Sequence, residues 1–379
     1  MKDAAEILKL NYDEFARSIR FKFREIGGEV IASPFDKNEC IVARDSVAKE
    51  LYNRMFNWLV IRMNSSIMPE EFLKPGADTV ALYKSYLHIG LLDIFGFEIF
   101  PKNSLEQLCI NYTNEKLQQL YVSYVFKAEN KEFIEEGLED YLKGIQFEDN
   151  QAVLDFIDMS SKDFPGVFQI LDDLCTINSN DEAFFTKVQK LHGKNPKAVF
   201  PRMGKEKFAI VHTAATVEYF VEGFRAKNKD ELGNYIEKAL ANSGFPEVVK
   251  IFKGPVEEKK EEDTKKPKGG AASKFLGAKF RSQMTELYEE LLSCNCHFVR
   301  CIKPNPSKQK GLFVAKMTLE QIKYMGILDT IKIRRELFPV RRLFKTFYQK
   351  YDELHPTANK TRFEKHVEQG ADFKAFTNE

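Results

Sequence analysis

Tyr86–Phe100, YLHIGLLDIFGFEIF, is the stretch whose reading decides the fold. It is almost wholly apolar, rich in Ile and Phe, and stopped by Pro101. Its early part predicts a strand buried on both faces. Asp93 is the anomaly in that run, and Gly96 and Glu98 follow it closely. A buried carboxylate is costly unless it is paired or bound to a cation. Nucleotide-binding folds put an acid at the end of a buried strand and a glycine turn after it. That arrangement sets a carboxylate near Mg²⁺ and a backbone N–H near phosphate. The bland alternative is an Asp that caps a turn.

Downstream of Pro101, Asn103 or Ser104 can cap a helix, with Glu106 and Gln107 placed for a capping box. Leu105, Leu108, Cys109, Tyr112, Leu117, Leu120, Tyr121 and Tyr124 keep three-and-four spacing. They predict a helix of about seven turns. It is either a rod leaving a phosphate sensor or an ordinary core helix. Upstream, Val47, Leu51, Met55, Leu59 and Met63 recur every four residues and predict one apolar helix face. Pro69 and the turn at Lys74-Pro75-Gly76 close that region. From Gly254 to Lys274 there is no aromatic residue and charge is dense, first acidic at 257–263, then basic at Lys265, Lys266 and Lys268. This composition predicts a surface loop or linker, or an electrostatic contact site built from its basic half. Lys279 to Leu292 is amphipathic, His297 to Lys303 alternates as a strand would, and Leu319 to Arg335 returns to helical spacing.

The chain has 379 residues, with 57 Lys and Arg against 56 Asp and Glu. Its formal charge of +1 argues against a protein that coats nucleic acid. Length alone suggests two or three domains or one large one. No apolar run reaches the ~20 residues of a membrane helix, and the start lacks the pattern of a secretory leader. Six cysteines in such a length are no disulfide framework, so a reducing compartment is expected. Cys294, Cys296, His297 and Cys301 do not have structural-zinc spacing and read as strand-packed thiols. Gly193-Lys194 and Gly204-Lys205 are the only Gly-Lys pairs, and neither sits in a phosphate-binding loop of Walker type. The sequence offers a candidate phosphate sensor without a cradle.

Leu92-Asp93-Ile94-Phe95-Gly96-Phe97-Glu98, followed by Asn103 to Glu115 (NSLEQLCINYTNE), closely resembles switch II and the relay helix of myosin heavy chains. Phe56 to Val60 resembles the helix before switch II, and Phe208 to His212 with Gly223-Phe224 resembles the lower motor subdomain. His297 to Asn305, HFVRCIKPN, is nearly the family strand, and Gln321 to Pro339 is similar to its reactive-thiol helices. The resemblance implies ATP and Mg²⁺ as cofactors of the complete motor. Asp93 would lie in the second shell of Mg²⁺, the N–H of Gly96 would bind γ-phosphate, and Glu98 would help position the attacking water. Lys265, Lys266 and Lys268 would correspond to the loop that meets actin. Gln283, Leu287, Leu291, Lys303 and Asn305 fall in the segment usually assigned to actin binding, and Gly166 to Phe185 resembles its apolar tip. Asn103, Leu105, Tyr112, Asn114, Phe126, Gly326, Phe338 and Pro339 would transmit force toward a converter.

The same resemblance places the phosphate loop and switch I before residue 1, so the chain is expected to be the C-terminal half of a motor. Leu337 stands where the family has a pivot glycine, Tyr324 and Arg334 where many members have reactive cysteines, and Thr213 and Ala215 where it has Tyr and Gly. The expected fold is α+β and mainly helical, part of the P-loop NTPase motor fold, with two transducer strands around Leu91 and Val299. Left without neighbours, these would expose apolar edges and lower solubility. The expected divisions are 1–253, a charged loop 254–274, 275–339, and a partial converter 340–379. The expected function is an actin-based motor of the cytoplasmic actin cytoskeleton, with a light chain possible beyond the C-terminus. The alternatives are an ATP-independent actin-binding module and a non-functional remnant. No nucleic acid partner and no membrane insertion are expected.

Overall fold

The computed structural model describes residues 1–26, 29–74, 76–135, 149–177, 179–229, 232–253, 275–325, 327–328, 331, 342 and 344–351. In chain order the helices are α1 (Lys2–Ile7), α2 (Tyr12–Arg20), α3 (Lys37–Ile67), α4 (Thr79–Ser85), α5 (Leu105–Glu135), α6 (Gln151–Asp158) and α7 (Val167–Thr176). They continue with α8 (Asp181–His192), α9 (Phe224–Asn228), α10 (Asn234–Ala241), α11 (Pro246–Lys253), α12 (Leu276–Ser293), α13 (Ala315–Tyr324) and α14 (Phe344–Tyr351). Two small antiparallel sheets pair β1 (Phe21–Ile26) with β2 (Glu29–Pro34), and β3 (Ala198–Val199) with β4 (Lys207–Val211) and β5 (Thr216–Phe220). The chain is thus mainly helical α+β. It divides into two compact units, Met1–Ile94 with Lys229–Leu276, and Phe95–Asn228 with Gly277–Glu379.

In the first unit the predicted helix through Ser46 runs longer than its apolar spacing, because Asp36 and Glu39 close a capping box at its start. Val47 is buried with Phe15, Ile19, Ile236, Leu240 and Phe252, and Leu51 packs against them. Arg54 extends this seam: it pairs with Glu50 at 2.6 Å and Glu237 at 2.5 Å and donates to the Phe252 carbonyl at 2.9 Å. Further along the helix, Met55, Leu59 and Met63 are exposed, so the predicted face is covered only at its N-terminal end.

The second unit explains the abundance of phenylalanine. Phe156, Phe168, Phe184, Phe185, Phe208 and Phe224 are all fully buried, and Tyr112 of α5 meets Phe168 edge to face at 5.5 Å. Leu105, Leu108, Tyr112 and Leu120 put the predicted stripe of α5 into this core. Its 31 residues make a rod about 46 Å long. Before α7, Gly166 is required by close approach: a Cβ there would lie 2.6 Å from the Met159 nitrogen.

The two expected transducer strands are not formed. Residues 87–100 pair with no described strand, and Leu87, Ile89 and Leu91 are 101 %, 93 % and 96 % exposed. Asp93 is exposed as well, so no buried charge needs compensating there. The stretch around Val299 is also unpaired, Val299 is exposed, and Cys294 and Cys301 lie at the surface rather than packed in a strand. A strand needs hydrogen-bonding neighbours at ~4.8 Å, and neither run has one among the described residues. Of the reactive-thiol region, α13 covers the start, and Gly326, Phe338 and Pro339 lie outside the described residues.

Truncation of Phe168 to Ala should cost about 3–5 kcal/mol in urea unfolding, while Leu91→Ala should stay within about 0.5 kcal/mol. A large loss at Leu91 would mean that the apolar run is packed in the folded chain.

Candidate functional site

The site is built where the segment 95–100 meets the start of α5. Asn103, almost wholly buried, organises the junction. Its Oδ1 accepts from the Phe100 amide at 2.7 Å, and its Nδ2 donates to the carbonyls of Phe100 and Glu218, both at 2.9 Å. Its own carbonyl accepts from the Phe220 amide at 2.9 Å, so the helix start is tied to β5. The predicted cap resolves onto Ser104 and Gln107: Gln107 Oε1 accepts from the Ser104 amide at 2.9 Å. Glu106 is not the capping partner. It pairs with Lys227 at 2.6 Å, and the same lysine donates to Ser104 Oγ at 2.9 Å.

One turn on, two asparagines of α5 hold the segment from either side of Gly96. Asn114 Nδ2 donates to the Phe95 carbonyl at 3.0 Å. Asn111 takes both backbone groups of Glu98: its Oδ1 accepts from the Glu98 amide at 2.8 Å and its Nδ2 donates to the Glu98 carbonyl at 2.9 Å. The half-buried Glu98 carboxylate accepts a long bond of 3.4 Å from Gln107. Space beside Gly96 is open, since a Cβ there would meet nothing within 4 Å. A glycine in open space can let a phosphate oxygen approach the main chain. One exposed Asp93 and an open glycine do not by themselves make an Mg²⁺-nucleotide site, and no group of three potential metal ligands occurs among the described residues.

Sequence reading missed the buried polar cluster behind this segment. Glu115 is 2 % exposed. Its Oε1 accepts from the Thr213 amide at 2.7 Å and faces His212 Nδ1 at 3.2 Å. Its Oε2 accepts from Thr213 Oγ1 at 2.8 Å and Asn150 Nδ2 at 2.5 Å. Across the ring, His212 Nε2 lies 2.8 Å from the Tyr219 hydroxyl, which in turn accepts from Asn111 Nδ2 at 2.9 Å. One assignment of hydrogens satisfies every group: Asn111 donates to Tyr219, Tyr219 to His212 Nε2, and His212 Nδ1–H to the carboxylate. Burial pushes Glu115 upward, but the bonds from His212, Asn150 and Thr213 outweigh it and hold the carboxyl below its ordinary value. Burial raises the Tyr219 hydroxyl and the Cys109 thiol, the latter to about 12. The missed signal was local: Asn111, Glu115 and Gln118 fall on the same face of α5 as Leu108 and Tyr112.

Other predicted residues are placed as follows. Tyr112, fully buried, donates its hydroxyl to Asp158, which lies 3.5 Å from Arg281; Arg281 also pairs with Asp172 at 2.9 Å. On α12, Gln283 is exposed and Leu287 and Leu291 are half-buried. Lys303 is exposed. Asn305 is 1 % exposed and folds its own loop, donating to the carbonyls of Gln309 and Leu312 at 2.9 and 2.8 Å. At the turn between α7 and α8, Ile177 stands out at 71 % exposure. Phe126 lies on α5 with its side chain not described, and Lys265, Lys266 and Lys268 lie outside the described residues.

A glutamate held below its ordinary value stabilises the fold fully above ~4.3, the unfolded value, and loses that contribution as pH falls through the native one. Glu115→Gln should therefore cost about 1.5–3 kcal/mol at neutral pH and flatten the acid limb of stability measured by urea unfolding between pH 7 and 3. An acid limb identical to that of the parent would remove Glu115 from the account.

The sequence model of the myosin head (motor domain) family matches residues 1–376. Myosin-2B of Naumovozyma castellii is 37 % identical over 366 residues, covering 94 % of this chain and 25 % of that protein. Unconventional myosin-XV of Homo sapiens is 34 % identical over 92 % of this chain and 9 % of its own length. Unconventional myosin-Ic of Gallus gallus is 33 % identical over 87 % of this chain and 31 % of its own. The chain spans about a quarter of the first of these relatives and less than a third of the others. A match along nearly the whole sequence makes it a member of the myosin head (motor domain) family.

Proposed function

We propose that this chain works as part of an actin-based motor that couples ATP hydrolysis to movement along actin filaments, in the cytoplasmic actin cytoskeleton. One observation carries the reading beyond family membership. The main chain on both sides of Gly96 is held by Asn111 and Asn114 of the long helix α5, so a displacement at the glycine is passed to a rod. Glu98 and Gly96 are the residues assigned to catalysis, and Asp93 and Gly96 to the nucleotide and its Mg²⁺. They would act with a Walker-type phosphate loop and the arginine of a switch I motif, neither of which is matched within these 379 residues. Their chemistry would be positioning and electrostatic stabilisation of a transferring phosphoryl group. Force would pass from Asn103, Leu105, Tyr112 and Asn114 through Phe126 toward Gly326, Phe338 and Pro339.

The actin-facing surface is assigned to Lys265, Lys266 and Lys268, to Gln283, Leu287 and Leu291 on α12, and to Lys303. Asn305 would contribute by shaping its loop, because its side chain is turned inward. No helix among the described residues is long and apolar enough to cross a membrane. Lysines against an acidic filament should act mainly on encounter and weaken with salt.

Co-sedimentation with actin filaments, with and without ATP, tests this. Binding released by ATP is expected for a working motor. ATP-insensitive binding would reassign the chain as a binding module, and absence of binding would overturn an actin role. Replacing Lys265, Lys266 and Lys268 together by Ala should weaken binding severalfold at low salt and less at high salt. Unchanged affinity at low salt would remove these lysines from the interface.

A further inference from the structure

We propose that His212 and Tyr219 are positioning residues for the 95–98 segment, acting through Asn111 from the buried carboxylate of Glu115. A carboxylate this deeply buried is tolerable only with its acceptor sites filled, and Glu115 has four partners: the Thr213 amide, the Thr213 hydroxyl, Asn150 and His212. The first three belong to Thr213 and Asn150, the latter at the start of α6. The fourth, His212, continues to Tyr219, then Asn111, then both backbone groups of Glu98. A second contact reaches the segment independently, because the Phe97 ring meets the edge of His212 at 5.2 Å. His212 therefore touches the segment twice, once by packing and once through a line of hydrogen bonds.

The geometry gives each member a separate task. Glu115 fixes which ring nitrogen of His212 carries hydrogen, and so which nitrogen is left to accept from Tyr219. Tyr219 sits in β5, opposite Phe208 of β4, and its hydroxyl orients the Asn111 amide so that oxygen faces the Glu98 N–H and nitrogen faces its carbonyl. Without that orientation a flipped amide would set like groups against each other at both backbone atoms. Thr213 strengthens the far end: its hydroxyl supplies a bond to Glu115 that a tyrosine at this position, too long and rigid, would not make from the same place. The hairpin of β4 and β5 thus takes part in setting the segment that carries Gly96. Its catalytic meaning rests on the motor reading above; the mechanical link stands without it.

Hydrogen exchange at single-residue resolution on the full chain, without nucleotide or actin, tests the proposal. Tyr219→Phe keeps the ring that packs on Phe208 and His212 and deletes only the hydroxyl. The expected result is exchange at the Glu98 amide about tenfold faster, with protection in α6, α7 and α8 unchanged. Asn111→Ala sets the rate of the unclamped amide. Glu98 exchange that accelerates in Asn111→Ala but not in Tyr219→Phe would overturn the proposal, since packing alone would then suffice. If Tyr219→Phe loses protection throughout α6–α8, Glu115→Gln takes its place, with severalfold faster exchange at Glu98 expected and an unchanged rate overturning the link. Because the readout uses no ligand, failure here leaves the actin reading intact, and failure of actin binding leaves this link intact.

Discussion

A carboxylate shut away from water at Glu115 is the constraint on which the second unit depends. It sits on the apolar face of α5, where a charge without partners would cost several kcal/mol. The loop after β4 must bring Thr213 to it, the start of α6 must bring Asn150, and His212 must stand edge-on between it and Tyr219. These demands fix the register of α5 against the β4–β5 hairpin more tightly than the surrounding phenylalanines could. Apolar contacts tolerate repacking at modest cost, whereas a misplaced donor leaves a buried ion unsatisfied.

From that anchor the site follows outward. Asn103 joins the helix start to β5, Asn111 and Asn114 hold the backbone beside Gly96, and Tyr112 with Asp158 and Arg281 ties the same helix to α6 and α12. Gly96 therefore lies in a segment with open space on one side and the hydrogen-bonding asparagines of α5 on the other. On the motor reading proposed above, a ligand would approach this segment, and its displacement would act on α5.

Much of this was legible in the sequence, and the reasons for the rest are physical. The three-and-four spacing of Leu105, Leu108 and Tyr112 gave the buried stripe of α5, and the cap at Ser104 with Gln107 lay within a few residues of its partner. Both are local properties. The run 86–100 does not form the strand its composition predicts, because apolar composition reports a need for cover, while a strand exists only where a neighbour supplies hydrogen bonds; Leu87, Ile89 and Leu91 have no such neighbour among the described residues and are exposed. The polar cluster was legible only on its α5 side, where Asn111 and Glu115 share the face of Leu108 and Tyr112. Glu115 and His212 are 97 positions apart, and nothing in either stretch says that they meet. Asn305 shows the limit of resemblance: it matches a segment associated with actin, yet its side chain organises its own loop.

The central claim is that Tyr219 and Asn111 act as one unit in holding the 95–98 segment to the core. A double-mutant cycle on stability, with Asn111→Ala, Tyr219→Phe and the pair, measures this directly. The account predicts a coupling of about 1 kcal/mol or more, with the second substitution costing much less once the first is made. Strict additivity of the two losses would contradict it.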